Sequence, residues 1–333
     1  MTRLIVTNDT SAAGGLKFAG RADIAIPLER RLVWGRAPSD AEQAAFFAPR
    51  TTQPEDLHWQ DYTPSSRLER WGAKDLGLLD FCTRCESVEL WIDPDPNGQL
   101  QLIWLLDYLR AQQEIASRFT LVQAGTVIGN QGAEKLAKWQ PRAVTILGNH
   151  FKAASDWRAY RASTPTAWFS LLAKDVRILP RLRKVVLELL EELPMPASGL
   201  GATEMRMLEL ISKGGVSPGY VFPGYRHRNK RRVFGYWEIG ELLDGLAHCP
   251  APAVSGLDEG PFTLEMMDDS ARRERYHRSK LRLTPLGTAV LEGREDFSRH
   301  NPIHRWWGGT KLTNKRLWRW DPVDQILVPP SGE

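Results

Sequence analysis

Hydrophobic and polar positions follow two rhythms along the first 150 residues. Short apolar runs ("RLIVTN", "ADIAIPL", "RRLVWG", "SVELWID", "FTLVQA" and "AVTILGN") have the length and branched content of buried strands. Between them lie segments with apolar residues at helical spacing. "SAAGGLKFAG" has Ser11 as its expected N-cap, and "QLQLIWLLDYLRAQQ" is a longer helix of the same kind. "SDAEQAAFFAPR" opens with Ser39 as cap and places Asp40 and Glu42 in the first turn, where the helix dipole favours negative charge. Strands alternating with helices predict an α/β domain over residues 1–150, a Rossmann-like, mostly parallel sheet covered on both faces.

From residue 151 the rhythm turns helical, through "ASDWRAYRASTPTAWFSLLAKD" and "LPRLRKVVLELLEELP", and predicts a connector over residues 151–198. "PMPASGLG" is a hinge by composition. Beyond it, "ATEMRMLELISKGG" reads as a helix capped by Thr203, and "GYWEIGELLDGLAHC" as a second helix. "FTLEMM" and "KLRLT" then read as a two-stranded ribbon, and "PLGTAVLEG" as a last helix. That order predicts a winged-helix-like α+β domain over residues 199–333, ending in a tryptophan-rich tail.

Composition adds few constraints. Over 333 residues, 42% are hydrophobic and 25% charged, as in ordinary globular proteins. No apolar run reaches the roughly 18 residues of a membrane-spanning helix. The opening "MTRLIVTNDTSA" enters a strand pattern directly, without the apolar stretch of a signal peptide. Three cysteines, Cys82, Cys85 and Cys249, cannot close a disulfide framework, so a reducing cytoplasm is expected. The net charge of +4 is mild, so any affinity for nucleic acid must come from local clusters.

Several stretches carry candidate chemistry. In parallel sheets, ligands bind beyond the carboxyl ends of the strands. There the first turn offers Asn8, Asp9, Ser11, Gly14 and Gly15 as an anion cradle of backbone N–H groups. It lacks both the dinucleotide and triphosphate fingerprints, and a tight packing corner is the alternative. In "WIDPDPNGQ", Asp93 and Asp95 are candidates for a general base or a divalent-cation pair, with Gln99 beside them. The same residues also suit a turn that caps the following helix. His150, after another strand, is a third catalytic candidate.

Two basic blocks, "YRHRNKRR" and "ARRERYHRSKLR", flank the expected winged helix. Arg226, Arg228, Lys230, Arg231, Arg232, Arg273 and Arg278 are the candidate phosphate contacts, with Tyr225 and Tyr276 against sugars or bases. A solvated charged loop or a protein interface would read the same way. "CTRC" fits a redox pair or half a zinc site less well than two buried thiols, since it closes a helix instead of opening one. The tail "HRWWGGTKLTNKRLWRW" is expected to pack Trp306, Trp307, Trp318 and Trp320 onto the N-terminal domain, with a base-stacking platform as the alternative.

"TNDTSAAGGLK", "LWIDPDPNGQLQLIWLLDYL" and the tail resemble a bacterial family known as domain of unknown function 1835, with its C-terminal companion domain 3658. The family's strand-end turn falls on Asn8, Asp9 and Ser11, its acidic turn on Asp93, Asp95 and Gln99, and its closing motif on Arg305, Trp306, Gly308 and Gly309. Pro94, Pro96 and Gly98 depart from its usual acidic turn. The family has no assigned reaction, so the resemblance implies a layout and candidate residues.

The expected function is a regulatory or binding protein with a small anionic, nucleotide-like ligand and a nucleic-acid partner. The alternatives are an enzyme of nucleotide or phosphoester chemistry and a protein-interaction scaffold. A membrane partner is not expected, a homodimer is a further option, and no cofactor is specified.

Overall fold

Leu4, Ile5 and Val6 are wholly shielded from solvent, and the first apolar run is a strand, β1 (Arg3–Thr7). The structure is a computed structural model that describes residues 2–50, 57–222 and 231–330. The chain divides into two units. The first comprises Met1–Leu32, Ala37–Arg161 and Ala173–Val185, and the second Val33–Arg36, Ala162–Leu172 and Val186–Glu333. Among the described residues no helix is long and apolar enough to cross a membrane.

The first unit is built on a five-stranded sheet. To β1 it adds β2 (Ile24–Pro27), β3 (Ser87–Ile92), β4 (Phe119–Gln123) and β5 (Ala143–Thr145), in the order β2-β1-β3-β4-β5. The first four are parallel, and β5 runs antiparallel to β4. "RRLVWG" forms no strand. Leu32 is instead tied by its N–H to the Asn97 carboxamide at 2.7 Å, which takes that backbone out of reach of the sheet.

Helices cover both faces, as parallel strands require. On one face, α1 (Thr10–Phe18) buries Ala12, Ala13 and Leu16 against Ile5, Ala25, Trp91 and Val122. Asp9 caps this helix, accepting from the Ala12 N–H at 2.7 Å, and Ser11 lies exposed within the first turn. The expected Ser11 cap is thus displaced by two residues, because the longer carboxylate reaches the orphan N–H first. Next come α2 (Asp40–Phe47), which has the Ser39–Glu42 capping box, α3 (Ser65–Trp71) and α4 (Leu78–Thr83).

The central helix, α5 (Pro96–Leu109), is buried along nearly its whole length. Trp104 packs between Phe46 and Phe47 at centroid distances of 4.9 and 4.6 Å. A helix that is apolar all round needs such enclosure. After α6 (Gln113–Ala116), α7 (Ala133–Lys138) sets Leu136 into the α1 layer. Finally α8 (Gly148–Ala153) and α9 (Ser155–Tyr160) pack beside α5. Cys82 and Cys85 are both buried, and burial pushes their thiols up, away from the reactive thiolate.

In the second unit, Trp168 of α10 (Thr166–Phe169) donates to the Val186 carbonyl in the middle of α11 (Leu182–Leu190). Next, α12 (Ala202–Ile211) begins at Gly201, whose N–H is held by the Glu204 carboxylate at 2.9 Å. The expected cap, Thr203, lies inside the helix and donates its hydroxyl to Glu192 at 2.7 Å. Val216 then bridges Leu281. After α13 (Tyr236–Ala247), β6 (Val254–Ser255) pairs antiparallel with β7 (Arg282–Leu283).

The expected "FTLEMM" strand is instead α14 (Leu264–Asp268), followed by α15 (Ser270–Arg278). The Thr263 hydroxyl accepts from the Met266 N–H and starts that helix, so "KLRLT" pairs with β6 instead. Tyr276 is wholly buried against Phe262, with centroids 5.0 Å apart, and cannot meet a base. The chain then forms α16 (Pro285–Leu291) and α17 (Phe297–His300). It ends in two hairpins, β8 (His304–Trp307) with β9 (Thr310–Thr313) and β10 (Arg319–Asp321) with β11 (Ile326–Val328). Gly308, with φ 54°, makes the turn of the first.

Trp307, Trp318 and Trp320 are buried. Trp307 donates to the Leu189 carbonyl at 2.7 Å, and Trp320 packs on Phe169 at 5.8 Å. These partners belong to the second unit itself, not to the N-terminal domain as the sequence suggests.

Candidate functional site

Because β2 and β3 lie on opposite sides of β1, the chain's winding reverses between β1 and β3. In open α/β sheets that reversal opens a crevice at the carboxyl edge, where ligands bind. The two strands turn polar at that point, β1 into Asn8 and Asp9 and β3 into Asp93 and Asp95. The structure brings these four together with Gln99.

A dense network joins them. The Asn8 carboxamide accepts from the Asp93 N–H at 2.5 Å and donates to Gln101 at 2.6 Å. Gln99 donates to the Asp93 carbonyl at 2.7 Å, and Gln101 and Asn97 donate to the Arg30 carbonyl at 2.7 and 3.0 Å. Asp95 caps α5, accepting from the Gly98 N–H. Gly98 is required here: a Cβ would lie 2.9 Å from the Asp93 carbonyl and 3.2 Å from both Asn8 amide atoms. The Gln99 side-chain oxygen is buried with no hydrogen-bond partner among the described residues.

The loop after β4 closes over this cluster. Its Ile128 N–H donates to the Asp93 carboxyl at 2.8 Å. Gly129 lies so close to α1 that a Cβ would come within 2.9 Å of Ser11 and 3.3 Å of the Asp9 carboxylate. The amide donors expected to cradle an anion are therefore capped by Asp9 and covered by the chain itself. Gly14 is exposed, and Gly15 faces Leu136, so both serve the helix and its packing.

Asp93 is 1% exposed. Burial, with Asp95 and Asp9 adding like charge, pushes its carboxyl up to about 7 against the Ile128 hydrogen bond. Burial also raises Asp95, opposed by the Gly98 N–H. His150 does not join them. Antiparallel β5 pairs Thr145 with Thr120, near the start of β4, and so carries the chain to the opposite edge. There the buried His150 ring accepts from the Leu147 N–H at 3.1 Å, and burial lowers its pKa. Among the described residues no group of three or more His, Cys, Asp or Glu could hold a metal ion.

An open cavity of about 690 Å³ lies along the same loop and α7. Gly125, Thr126, Gln131, Lys135, Lys138 and Trp139 line it. An Arg181 guanidinium nitrogen approaches Gly125, 3.6 Å from where a Cβ would stand. Lys138 pairs with Glu134 at 2.6 Å, while Trp139 meets Trp91 edge-on at 5.3 Å. Sequence reasoning passes over these residues, because a lysine-bearing helix followed by a tryptophan looks like ordinary surface. The signal available is the position of Gly125 and Thr126 just past the end of β4.

The basic blocks separate. Arg226, Arg228 and Lys230, with Tyr225, lie outside the described residues. Arg231 is not a free phosphate ligand, because it pairs with Glu191 at 2.9 Å and Glu192 at 2.6 Å. Arg232, Arg273 and Arg278 are exposed, although Arg273 donates to the Met267 carbonyl and Arg278 pairs with Glu274.

No protein-family model matches the chain, and no curated protein matches it. The likeness to domain of unknown function 1835 therefore rests on the residues quoted for it.

Proposed function

We propose that the chain is a binding protein of the regulatory kind, whose first unit takes a small anionic, nucleotide-like ligand. The observation that carries this reading is the cavity along α7 and the loop after β4, the loop whose Ile128 reaches Asp93. Its volume falls in the roughly 300–1,000 Å³ range of small-molecule sites. Lys135 supplies positive charge in its lining, Arg181 stands close by at Gly125, and Trp139 offers an aromatic face. Asp93 has a pKa suited to proton transfer at neutral pH, but its carboxyl is buried and held by Ile128, which favours binding over turnover.

Calorimetric titration of the full chain with adenosine monophosphate and with inorganic phosphate tests this. The nucleotide is expected to bind saturably and more tightly than phosphate. A Lys135→Ala/Arg181→Ala variant is expected to bind it at least about tenfold more weakly, a loss of ~1.4 kcal/mol. Equal binding by the variant, or none by the parent chain, would refute the proposal.

A specific surface favours nucleic acid as a partner of the second unit. Arg273, Lys280 and Arg282 are exposed along and after α15, Arg278 is exposed but shares its charge with Glu274, and Arg272 and Arg275 are spent on Glu259. A winged-helix reading draws support from the bridge between Val216, which lies between α12 and α13, and Leu281, the residue before β7. Against it, α13 carries Glu238, Glu241 and Asp244 and is poorly suited to a groove. α15 is therefore the element we propose to meet the duplex. Duplex DNA binding, read by anisotropy, is expected to weaken steeply with salt. An Arg273→Ala/Arg278→Ala/Lys280→Ala variant should lower the salt slope by about one for each phosphate it no longer neutralises. An unchanged slope, or no binding at low salt, rules this partner out.

A further inference from the structure

The second unit contains a smaller cavity, of about 230 Å³, below the roughly 300–1,000 Å³ of drug-sized sites. Its walls are aromatic: Trp34, Phe234, Trp306 and Trp307. Trp34, on the short Val33–Arg36 segment that belongs to this unit, meets Phe234 edge to face at 5.4 Å. The polar lining is unequal in charge. Arg305 is neutralised by Glu204 at 2.8 Å, and Glu192 by Arg231 at 2.6 Å. Glu241 has no cationic partner among the described residues and accepts a hydrogen bond from Trp34. Burial raises its pKa, the Trp34 hydrogen bond opposes this, and the like charges of Glu238 and Asp244 on the same helix α13 add to the rise.

Aromatic faces attract cations through their quadrupoles, and an unpaired carboxylate adds a counter-charge. The chain already shows the preference, since the Lys311 ammonium stands 6.0 Å from the Trp306 ring. Glu192 and Arg305 are paired with Arg231 and Glu204, but the Arg305 Nη2 is buried without a hydrogen-bond partner among the described residues and can donate to a hydroxyl carried by the ligand. We propose that this cavity is a binding site for a compact quaternary ammonium compound, with Trp34, Phe234 and Trp306 as its cage and Glu241 as its counter-ion. It is independent of the anion site proposed in the first unit.

The test is titration of the full chain with choline and with tetramethylammonium, followed by tryptophan fluorescence and calorimetry. Choline's tert-butyl isostere, in which carbon replaces the ammonium nitrogen, is the uncharged control. Saturable binding of both cations is expected, with the isostere at least about tenfold weaker. Glu241→Gln, at an exposed position that leaves the packing intact, is expected to weaken choline about tenfold. Trp306→Leu, checked by its melting temperature, is expected to do the same. The proposal is overturned by an isostere that binds as well as choline or by a Glu241→Gln variant of unchanged affinity. Absence of any signal up to about 20 mM choline also overturns it.

Discussion

Replacing Arg231 with alanine is expected to destabilise the second unit by about 3–5 kcal/mol, the usual cost of stranding a buried charge. Glu192 is 5% exposed and accepts from the Thr203 N–H at 3.1 Å, the Thr203 hydroxyl at 2.7 Å and the Arg231 guanidinium at 2.6 Å. Burial already raises the pKa of this carboxyl, and Arg231 is the largest opposing influence. Without the guanidinium, Glu192 must remain charged in an apolar setting or take up a proton. The destabilisation should therefore be greatest at neutral pH and smaller near about pH 5, where protonation is easier. Urea unfolding followed by tryptophan fluorescence at the two pH values reads it directly. A double variant, Glu192→Leu with Arg231→Met, should recover most of the stability, because no lone charge is left behind. If Arg231→Ala costs under about 1 kcal/mol, the pair is a surface contact in solution.

The second large effect is a pH dependence centred on Asp93. Its carboxyl is raised from the ordinary 3.8 to about 7. The folded chain thus keeps a proton that the unfolded chain gives up between these two values. The stability contributed by this group is fully present below about pH 4, is lost as pH rises toward 7, and levels off above it. Asp93→Asn retains the oxygen that accepts the Ile128 N–H but removes the charge. It is expected to flatten this slope and to be more stable than the parent at about pH 8, by up to ~4 kcal/mol. Thermal melts between about pH 4 and pH 8 provide the measurement. Parallel pH profiles in the two proteins would mean that Asp93 is ionised without penalty.

Much of this site is legible in the chain because strand ends announce themselves. An apolar run that stops at Asn8-Asp9 or at Asp93-Pro94-Asp95 marks a carboxyl edge, and the order of strands then brings the two together. The Ser39–Glu42 box is readable for the same local reason. What cannot be read is tertiary. Nothing local to residues 124–130 says that Ile128 will reach back to Asp93 or that Gly129 will cover α1. The antiparallel course of β5, which removes His150 from the site, has no local cause, since the segment between β4 and β5 carries α7 and is long enough for either direction. "FTLEMM" misleads because five residues of alternating pattern suit a strand or a short helix equally, and the Thr263 cap decides between them. In the sequence Arg231 is one more cation in a basic run. Only a fold that places Glu192 beneath it shows that its charge is used internally.

The reversed strand at the sheet's margin has a consequence of its own. β5 spans three residues, follows Pro141 and Arg142, and exposes two of its three side chains. So short a border offers too few free backbone groups to template an incoming strand from another molecule. The protein is thereby guarded at that margin against the edge-to-edge growth that seeds aggregates.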